Sequence, residues 1–352
     1  MAALMGVSSY RMHLSTDALI GVDGEMIEHL SLLEIRAAAE KLTARIVRTP
    51  VHVLSGPEID AAVGRDTTVI AKLELFQHTG TFKARGALLN ALALTPEQRE
   101  RGVTAISAGN HAIAVAFAAA VVGTHAKVVM IATANALRIE LCKAFGAQVE
   151  LASDAHAGFE RVKQIEANEG RTLIHPFEGR TTVLGTATLG LELCEQVAAL
   201  DAVIVPIGGG GLCAGVATAV KLLAPRCQVI GVEPEGADSM HRSFAAGEPR
   251  SIERVATIAD SLGAPYALPF SFKLCRQHVD RLVLVSDAQL RAAMRMVLRT
   301  AKLAVEPAGA ASTAALVGPL RNELRGKRVG VIVCGSNIDT ASFARLIHDD
   351  AQ

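Results

Sequence analysis

Short apolar runs alternate with longer segments of helical periodicity through most of the chain, and no other feature constrains the fold as strongly. Gly102, Gly123, Gly146 and Gly170 stand where the intervening helices should stop. Strand–helix alternation of this kind implies right-handed crossovers and parallel sheets that are covered by helices. The strand-like runs are 103–107, 127–132, 148–151, 172–176, 202–207, 228–233, 281–286 and 328–334.

The spacing of these runs predicts an α/β fold with two domains, each a mostly parallel open sheet covered by helices. The compact βα units of residues 102–176 would form a small domain, and residues 1–101 and 177–352 a large one. Residues 1–25 show no clear pattern, so we expect an arm outside the core. Ligands of two such units usually bind in the cleft between them, at the carboxyl ends of the strands.

Charge and composition exclude several classes of partner. The chain has 35 basic and 35 acidic side chains and 3% aromatic residues, which argues against a nucleic-acid partner. The longest apolar run, 112–122, is far shorter than the ~18–20 residues that a membrane span needs. No secretion signal is recognisable, which predicts a cytoplasmic protein, and the six cysteines lack metal-binding spacing and are expected to be free thiols.

Four consecutive glycines follow an apolar strand and open a helix. Gly208, Gly209, Gly210 and Gly211 precede Leu212 and a helix of small residues, an arrangement in which bare backbone N–H groups bind a phosphate. The loop at 208–215 also fits a permissive dinucleotide fingerprint, with Glu233 placed as a ribose-binding acid. An NAD-dependent oxidoreductase and a non-catalytic phosphometabolite sensor therefore stay open as alternatives.

A second segment, KLELFQHTGTFKARGA at 72–87, places Lys83 at a predicted helix start. Thr79 and Thr81 are available as helix caps, and Gly80 allows close approach. Burial and the helix dipole should both disfavour the Lys83 ammonium, as a Schiff-base lysine requires. Taken alone, a surface lysine on an amphipathic helix would be the commoner interpretation.

Five motifs that occur in a fixed order along the chain favour the Schiff-base interpretation of Lys83. They are TGTFKARG at 79–86, SAGNH at 107–111, the glycine loop, VEPAG at 305–309 and CGSN at 334–337. Together they resemble the pyridoxal-phosphate-dependent threonine dehydratase, serine dehydratase and serine racemase group, of fold type II and similar to tryptophan synthase β. The resemblance covers residues 40–345 and implies that the large domain binds the cofactor.

The resemblance implies specific roles around the cofactor. Lys83 would form the Schiff base and take the Cα proton, Phe82 would lie against the pyridine ring, and Asn110 would bond its 3′ oxygen. Cys334 would lie opposite the pyridine nitrogen, and Ser336 is the alternative residue for this position. The phosphate would be held by the backbone N–H groups of Gly208, Gly209, Gly210, Gly211 and Leu212.

The substrate carboxylate would face the SAGNH turn, at Ser107, Ala108, Asn110 and His111. A histidine bonded only to the backbone is the simpler interpretation of His111. Racemase relatives carry a serine hydroxyl at the position of Ala108, which has no proton to give. The resemblance therefore favours a dehydratase over an amino-acid racemase.

Two segments depart from the pattern of this group. Gly185–Thr188 replaces the sequence GQGT, so a supporting turn should differ. Some relatives bind a divalent or monovalent cation at a glutamate, an alanine carbonyl and an aspartate. Glu233 and Ala237 fit that set, but Ser239 replaces the aspartate and Asp238 comes one residue early.

The expected reaction is β-elimination of water from a β-hydroxy-α-amino acid, followed by release of a 2-oxo acid and ammonia. Serine and threonine are the commonest substrates of the group. Residues 261–270 resemble dehydratases that act on bulkier substrates such as phenylserine or hydroxyectoine breakdown products, although a loop packed under the large sheet is the simpler interpretation. No additional arginine is identifiable for a second carboxylate, which disfavours 3-hydroxyaspartate. We expect a homodimer.

Overall fold

The computed structural model describes residues 29–107, 109–132 and 134–348, so the expected arm at 1–25 lies outside the described residues. The strands are β1 (Val51–Leu54), β2 (Thr68–Leu73), β3 (Val103–Ile106), β4 (Ala126–Ile131), β5 (Gln148–Ala152), β6 (Thr172–Leu173), β7 (Ala202–Pro206), β8 (Gln228–Pro234), β9 (Arg281–Val285) and β10 (Arg328–Val333). The helices are α1 (Leu32–Leu42), α2 (Pro57–Val63), α3 (Lys83–Leu92), α4 (Pro96–Arg101), α5 (Asn110–Val122), α6 (Ala136–Ala144), α7 (Ala155–Glu169), α8 (Arg180–Gln196), α9 (Gly211–Leu223), α10 (Ser239–Ala246), α11 (Pro269–His278), α12 (Asp287–Ala301), α13 (Pro307–Val317) and α14 (Thr340–His348), with short 3₁₀ turns at Glu74–Phe76 and Asp260–Leu262.

The strands of the described residues form two sheets. The larger has the order β1-β2-β10-β7-β8-β9 and is parallel except where β1 pairs with β2. The smaller has the order β5-β4-β3-β6 and is parallel throughout. The predicted α/β class, with two mostly parallel sheets covered by helices, is confirmed. The domain boundaries at 101/102 and 176/177 stay a prediction.

Several of the apolar runs are strands whose side chains are buried on both faces. Every residue of β3 and β7 is buried, and so is most of α5, which packs on the smaller sheet. Strands covered by helices on both sides carry continuous apolar sequence, which explains the high content of Ala and Val. Gly123 and Gly170 end α5 and α7 with φ of 72° and 64°, as their positions predicted.

One predicted strand is shorter than its apolar run. Of residues 172–176, only Thr172 and Leu173 pair with β3. Pro176 has no N–H to donate to a sheet, and the carbonyl groups of Ile174 and Pro176 instead accept hydrogen bonds from side chains. The chain therefore leaves the sheet early.

Two glycines let α3 and α8 approach closely. A Cβ added at Gly185 would lie 2.5 Å from the Cα of Gly86, so neither helix could keep its place beside a larger residue. Thr186 donates to the carbonyl of Gly211 at 2.7 Å. The departing segment Gly185–Thr188 is thus part of α8, and it supports the start of α9.

A buried cluster of charges, made of Lys72, Glu74, Arg85 and Glu192, fastens α3 to its surroundings. Arg85 donates to both oxygens of Glu74 at 2.8 Å and to Glu192 at 2.8 and 2.9 Å. Lys72 donates to Glu192 at 2.7 Å. The side chains of Lys72, Glu74 and Arg85 have no exposed surface. Two acids and two bases balance the charge of the cluster.

None of the described helices combines the length and the apolar character needed to cross a bilayer. All six cysteines carry free thiols, as their spacing predicted.

Candidate active site

One cavity lies where the strands of both sheets end. Ile106 and Ile131 end β3 and β4 of the smaller sheet, while Pro206 and Cys334 stand at the ends of β7 and β10 of the larger sheet, and all four line the cavity. Carboxyl ends of parallel strands are where α/β proteins bind ligands. The cavity therefore occupies the cleft that the sequence predicted.

Most of the predicted site residues line this cavity. Ser336 is the exception, because it lies outside the lining. Its backbone N–H donates to the carbonyl of Gly80 at 3.1 Å. Ala108 lies outside the described residues. The roles of the others toward a ligand stay predictions. The lining members are Phe82, Lys83, Ser107, Asn110, His111, Gly208, Gly209, Gly210, Gly211, Leu212 and Cys334.

Lys83 is the first residue of α3, and its side chain is half-buried in the wall of the cavity. Nζ donates to the carbonyl of Pro176 at 2.5 Å. Burial lowers the pKa of Lys83 to about 8, against the opposing influence of Cys334 and Glu306. A substantial neutral fraction near pH 8 is what a nucleophilic or basic amine needs.

The capping predicted for α3 is partly wrong. Thr81 Oγ1 accepts from the Lys83 N–H at 3.4 Å, but the Thr79 hydroxyl donates to the Thr81 carbonyl. Phe82 occupies the N-cap position. Thr81 also pairs with Gly335 in an isolated bridge.

The glycine loop combines a packing requirement with an anion site. A Cβ at Gly209 would lie 2.2 Å from Phe177 Cγ, and one at Gly211 would lie 2.3 Å from the Phe177 carbonyl oxygen. Gly210 has φ 97° and precedes α9. Within the described part of the chain, no group accepts from the backbone N–H groups of residues 208–212. These amides therefore stand free at a helix N-terminus, where an anion is stabilised.

Asn110 is held by three residues from the larger sheet's side of the cavity. Its Nδ2 donates to Glu306 at 2.7 Å and to Ser261 at 3.0 Å, and its Oδ1 accepts from Asn337 at 2.8 Å. Burial raises the pKa of Glu306 to about 7, although nearby Arg138 lowers it. Sequence reasoning gave no role to Glu306 or Asn337, but both belong to the VEPAG and CGSN motifs that it singled out.

His111 and Cys334 are both uncharged groups of the lining. Burial and then Lys83 lower the pKa of His111 to about 3, and its Nε2 lies 2.7 Å from the carbonyl oxygen of Ile174. This backbone bond agrees with the simpler interpretation of His111. Burial and then Glu306 raise the pKa of Cys334 above its ordinary value. Its thiol donates to the Ala308 carbonyl at 3.3 Å.

Three aromatic side chains, Phe159, Phe177 and Tyr266, form one wall of the cavity. Residues 261–266 line the cavity, while Leu262, Ala267 and Phe270 also pack into the core of the larger sheet, so the segment fits both interpretations given for it. Tyr266 lies 6.1 Å from Phe177 and 6.3 Å from Phe159, measured between ring centroids. Sequence reasoning missed Phe159 and Phe177, because they come from α7 and from the link before α8 and carry no shared motif.

The sequence identified no additional arginine for a second carboxylate, but one arginine does lie at the cavity. Arg138, on α6, lines the cavity and forms ion pairs with Asp260 and Glu306. Its position depends on the orientation of α6, which periodicity alone does not determine.

Glu233 and Ala237 lie away from the cavity lining. The Glu233 carboxylate accepts from the backbone N–H groups of Met240 and His241 at 2.9 and 2.7 Å, at the start of α10. Burial raises the pKa of Glu233 to about 8. Because Glu233 lies outside the lining and binds the amides of α10, a ribose-binding role beside the glycine loop finds no support.

The described residues contain no group of three His, Cys, Asp or Glu side chains that could hold a metal ion.

Comparison with known proteins identifies the family. A model of the pyridoxal-phosphate dependent enzymes matches residues 42–335. The chain is 62% identical over 279 residues to phenylserine dehydratase of Ralstonia pickettii, covering 79% of this chain and 86% of that protein. It is 37% identical over 316 residues to L-threo-3-hydroxyaspartate ammonia-lyase of a Pseudomonas species, covering 89% and 97%.

Among solved structures, maize serine racemase is similar in fold. The TM-score is 0.85 at 35% identity, and the match covers 90% of this chain and 97% of the racemase. The resemblance that the five motifs predicted is confirmed. The chain belongs to the family of pyridoxal-phosphate dependent enzymes, within its dehydratase and ammonia-lyase group.

Proposed function

We propose that this enzyme removes the β-hydroxyl group and then the amine from a β-hydroxy-α-amino acid with an aromatic β-substituent, of the phenylserine type. The products are a 2-oxo acid and ammonia. The observation that carries this proposal is the aromatic wall of Phe159, Phe177 and Tyr266 in the cavity that also holds Lys83. The similarity to phenylserine dehydratase supports it.

The cavity fits pyridoxal phosphate. Lys83 offers an amine with a lowered pKa at the cavity, which suits capture of an aldehyde. Among the residues that the structure describes, none accepts from the amides of residues 208–212, which therefore suit a phosphate group. Phe82 would lie against the ring, and the Cys334 thiol would meet its nitrogen. Because a thiol is only a weak hydrogen-bond donor, the pyridine nitrogen that faces it need not be protonated.

When bound, the cofactor supplies an electron sink that stabilises the charge left when the Cα–H bond breaks. Lys83 takes the Cα proton, since its lowered pKa leaves the amine partly neutral near pH 8. The start of α5, at Ser107, Asn110 and His111, binds the substrate carboxylate at the positive end of the helix dipole. His111 is neutral and its one ring N–H donates to the Ile174 carbonyl, so its side chain places no competing charge beside the carboxylate.

Asn110 does not move freely, because Glu306, Ser261 and Asn337 fix both ends of its amide. This support keeps the start of α5 in a fixed place relative to Lys83. The aromatic wall excludes water from the side of the cavity where the β-substituent would lie. After the β-hydroxyl has left with a proton as water, the released enamine hydrolyses to the 2-oxo acid and ammonia.

Serine and threonine are the second candidates, because they are the common substrates of the group that the motifs resemble. Their small β-substituents would not contact Tyr266 and Phe177, whereas the phenyl ring of phenylserine would fill the space beside these two residues. Racemisation is the weaker alternative, because Ala108 has no proton to deliver to the opposite face of Cα.

The first test is spectroscopic. Purified protein should absorb at the wavelength of a protonated Schiff base and lose that band when borohydride modifies Lys83. The Lys83→Ala variant should lose both the band and turnover. Binding of NAD without such a band would refute the proposal, and so would full turnover by Lys83→Ala.

The second test compares kcat/KM for serine, threonine, phenylserine and 3-hydroxyaspartate. The proposal expects the highest value with phenylserine. A clear preference for 3-hydroxyaspartate would contradict the role given to the aromatic wall.

The proposed enzyme works in the cytoplasm as a homodimer. Free thiols at all six cysteines suit a reducing compartment. Sedimentation equilibrium should give twice the mass of the 36.8 kDa chain, and a monomer mass would contradict the dimer.

A further inference from the structure

Arg138 is a buried cation on the wall of the cavity. Its Nη1 lies 2.5 Å from Asp260 Oδ2, and its Nη2 lies 3.2 Å from Asp260 Oδ1 and 3.1 Å from Glu306 Oε2. Its Nε donates to the Asn337 carbonyl at 3.0 Å. Burial opposes the charge of this side chain, but Glu306 and Asp260 raise the pKa of Arg138 above its ordinary value. The guanidinium therefore stays charged.

A guanidinium in this place is a natural partner for a carboxylate on the substrate. Arginine binds carboxylates through two parallel N–H bonds, and its affinity rises where water is excluded. A substrate with a second carboxylate on its β-carbon would need such a partner. The Asp260 carboxylate already occupies two of the Arg138 nitrogens.

The two acidic partners of Arg138 differ in burial. The Glu306 side chain is 1% exposed and also binds Asn110, so it belongs to the support of the site. The Asp260 side chain is 52% exposed and stands at the start of the segment that lines the cavity. Asp260 is therefore the partner whose removal opens the guanidinium to a ligand.

We propose that Asp260 is a specificity-determining residue, which occupies Arg138 and so excludes β-hydroxy amino acids that carry a second carboxylate. Two features act in the same direction. Nη1 and Nη2 of Arg138 are already paired with Asp260 and Glu306, and these two carboxylates repel a further negative charge. Uncharged β-substituents meet neither obstacle and instead contact the aromatic wall. This inference rests on the proposed function, whose preference for an aromatic substrate it explains.

The experiment compares Asp260→Ala and Asp260→Asn with the unchanged holoenzyme. The ratio of kcat/KM for 3-hydroxyaspartate to that for threonine should rise about 10- to 100-fold in Asp260→Ala, the value of a hydrogen bond to a charged group. Asp260→Asn keeps the size of the side chain and should give a smaller rise. If Asp260→Ala fails to fold, Asp260→Asn decides.

Two controls assign the effect to the guanidinium. Adding Arg138→Met to Asp260→Ala should abolish the rise. Glu323→Gln removes an acid from an exposed ion pair with Arg281, outside the cavity lining, and should leave the ratio unchanged. An unchanged ratio in both Asp260 variants would overturn the inference, as would a rise that persists without Arg138.

A binding measurement separates this inference from the proposed function. Succinate should bind the Asp260→Ala holoenzyme about tenfold or more tightly than the unchanged holoenzyme by titration calorimetry. The measurement needs no turnover, so it tests the role of Asp260 even if phenylserine is not a substrate. Equal succinate affinities would overturn the inference, whereas failure with phenylserine alone would overturn only the proposed function.

Discussion

Replacing Arg85 with methionine tests whether the buried charge cluster holds α3 in place. The substitution removes the cation that donates to both oxygens of Glu74 and to Glu192. Glu192 keeps its hydrogen bond from Lys72, and Glu74 keeps that from the hydroxyl of Thr49. Two buried carboxylates are thus left to share one cation, Lys72.

Breaking a buried ion pair on one side costs about 3–5 kcal/mol, because the remaining charge stays desolvated. The entropy of unfolding is about 2.1 cal/mol/K per residue, hence about 0.7 kcal/mol/K for a chain of 352 residues. Dividing the two values gives a fall in Tm of about 4–7 °C for Arg85→Met. Since Lys83 lies two residues earlier on the same helix, capture of the cofactor should also slow.

Calorimetry of the cofactor-free protein measures the Tm, and urea unfolding measures the free energy of unfolding. The double variant Arg85→Met/Glu74→Gln should recover about 1–3 kcal/mol relative to Arg85→Met, because the neutral amide removes the stranded charge. Arg48→Met breaks an ion pair with Glu195 whose side chains are 55% and 45% exposed, and should cost at most about 1 kcal/mol. If Arg85→Met costs no more than Arg48→Met, the reasoning is refuted.

Three further predictions concern the cavity. The rate at which cofactor-free protein captures pyridoxal phosphate should rise with pH and level off above about pH 8, because burial lowers the pKa of Lys83 to about 8 and only the neutral amine attacks. A stopped-flow rate that keeps rising to the ordinary lysine pKa of about 10.4 would contradict this. Tyr266→Ala should lower kcat/KM for phenylserine about tenfold more than for threonine, since it removes an aromatic contact, and equal losses would argue against the aromatic wall. Ala108→Ser should increase inversion of the substrate enantiomer in D₂O, because the serine supplies an acid–base group. If the unchanged enzyme inverts its substrate as fast as it eliminates water, the dehydratase assignment is overturned.

Sequence patterns predicted the strands and the motif-bearing turns because both are local. Periodicity located β3, β4 and β7 within one or two residues, and the glycine run located the start of α9. The motifs also predicted which residues meet in the cavity, since turns after parallel strands gather at one edge of a sheet. The shortened β6 was not predictable from apolar content, because Pro176 and two side-chain contacts end it.

The rest of the site depends on how distant elements are oriented. Arg138 reaches the cavity only because α6 presents that face toward Asp260. Phe159, Phe177 and Tyr266 come from three separate parts of the chain, and no spacing relates them. The glycine run also had a cause that the sequence did not reveal, since Phe177 packs where side chains at Gly209 and Gly211 would stand.

The short segment from Ile174 to Glu178 makes separate parts of the site interdependent. Its carbonyl groups accept from His111, Lys83 and Ser271, its phenylalanine packs on the glycine loop, and the Glu178 carboxylate accepts from two amides at the start of α11. Residues that share a partner do not contribute independently to stability or catalysis. Substitutions around this segment should therefore show epistasis, and combinatorial libraries should vary it together with its partners instead of one position at a time.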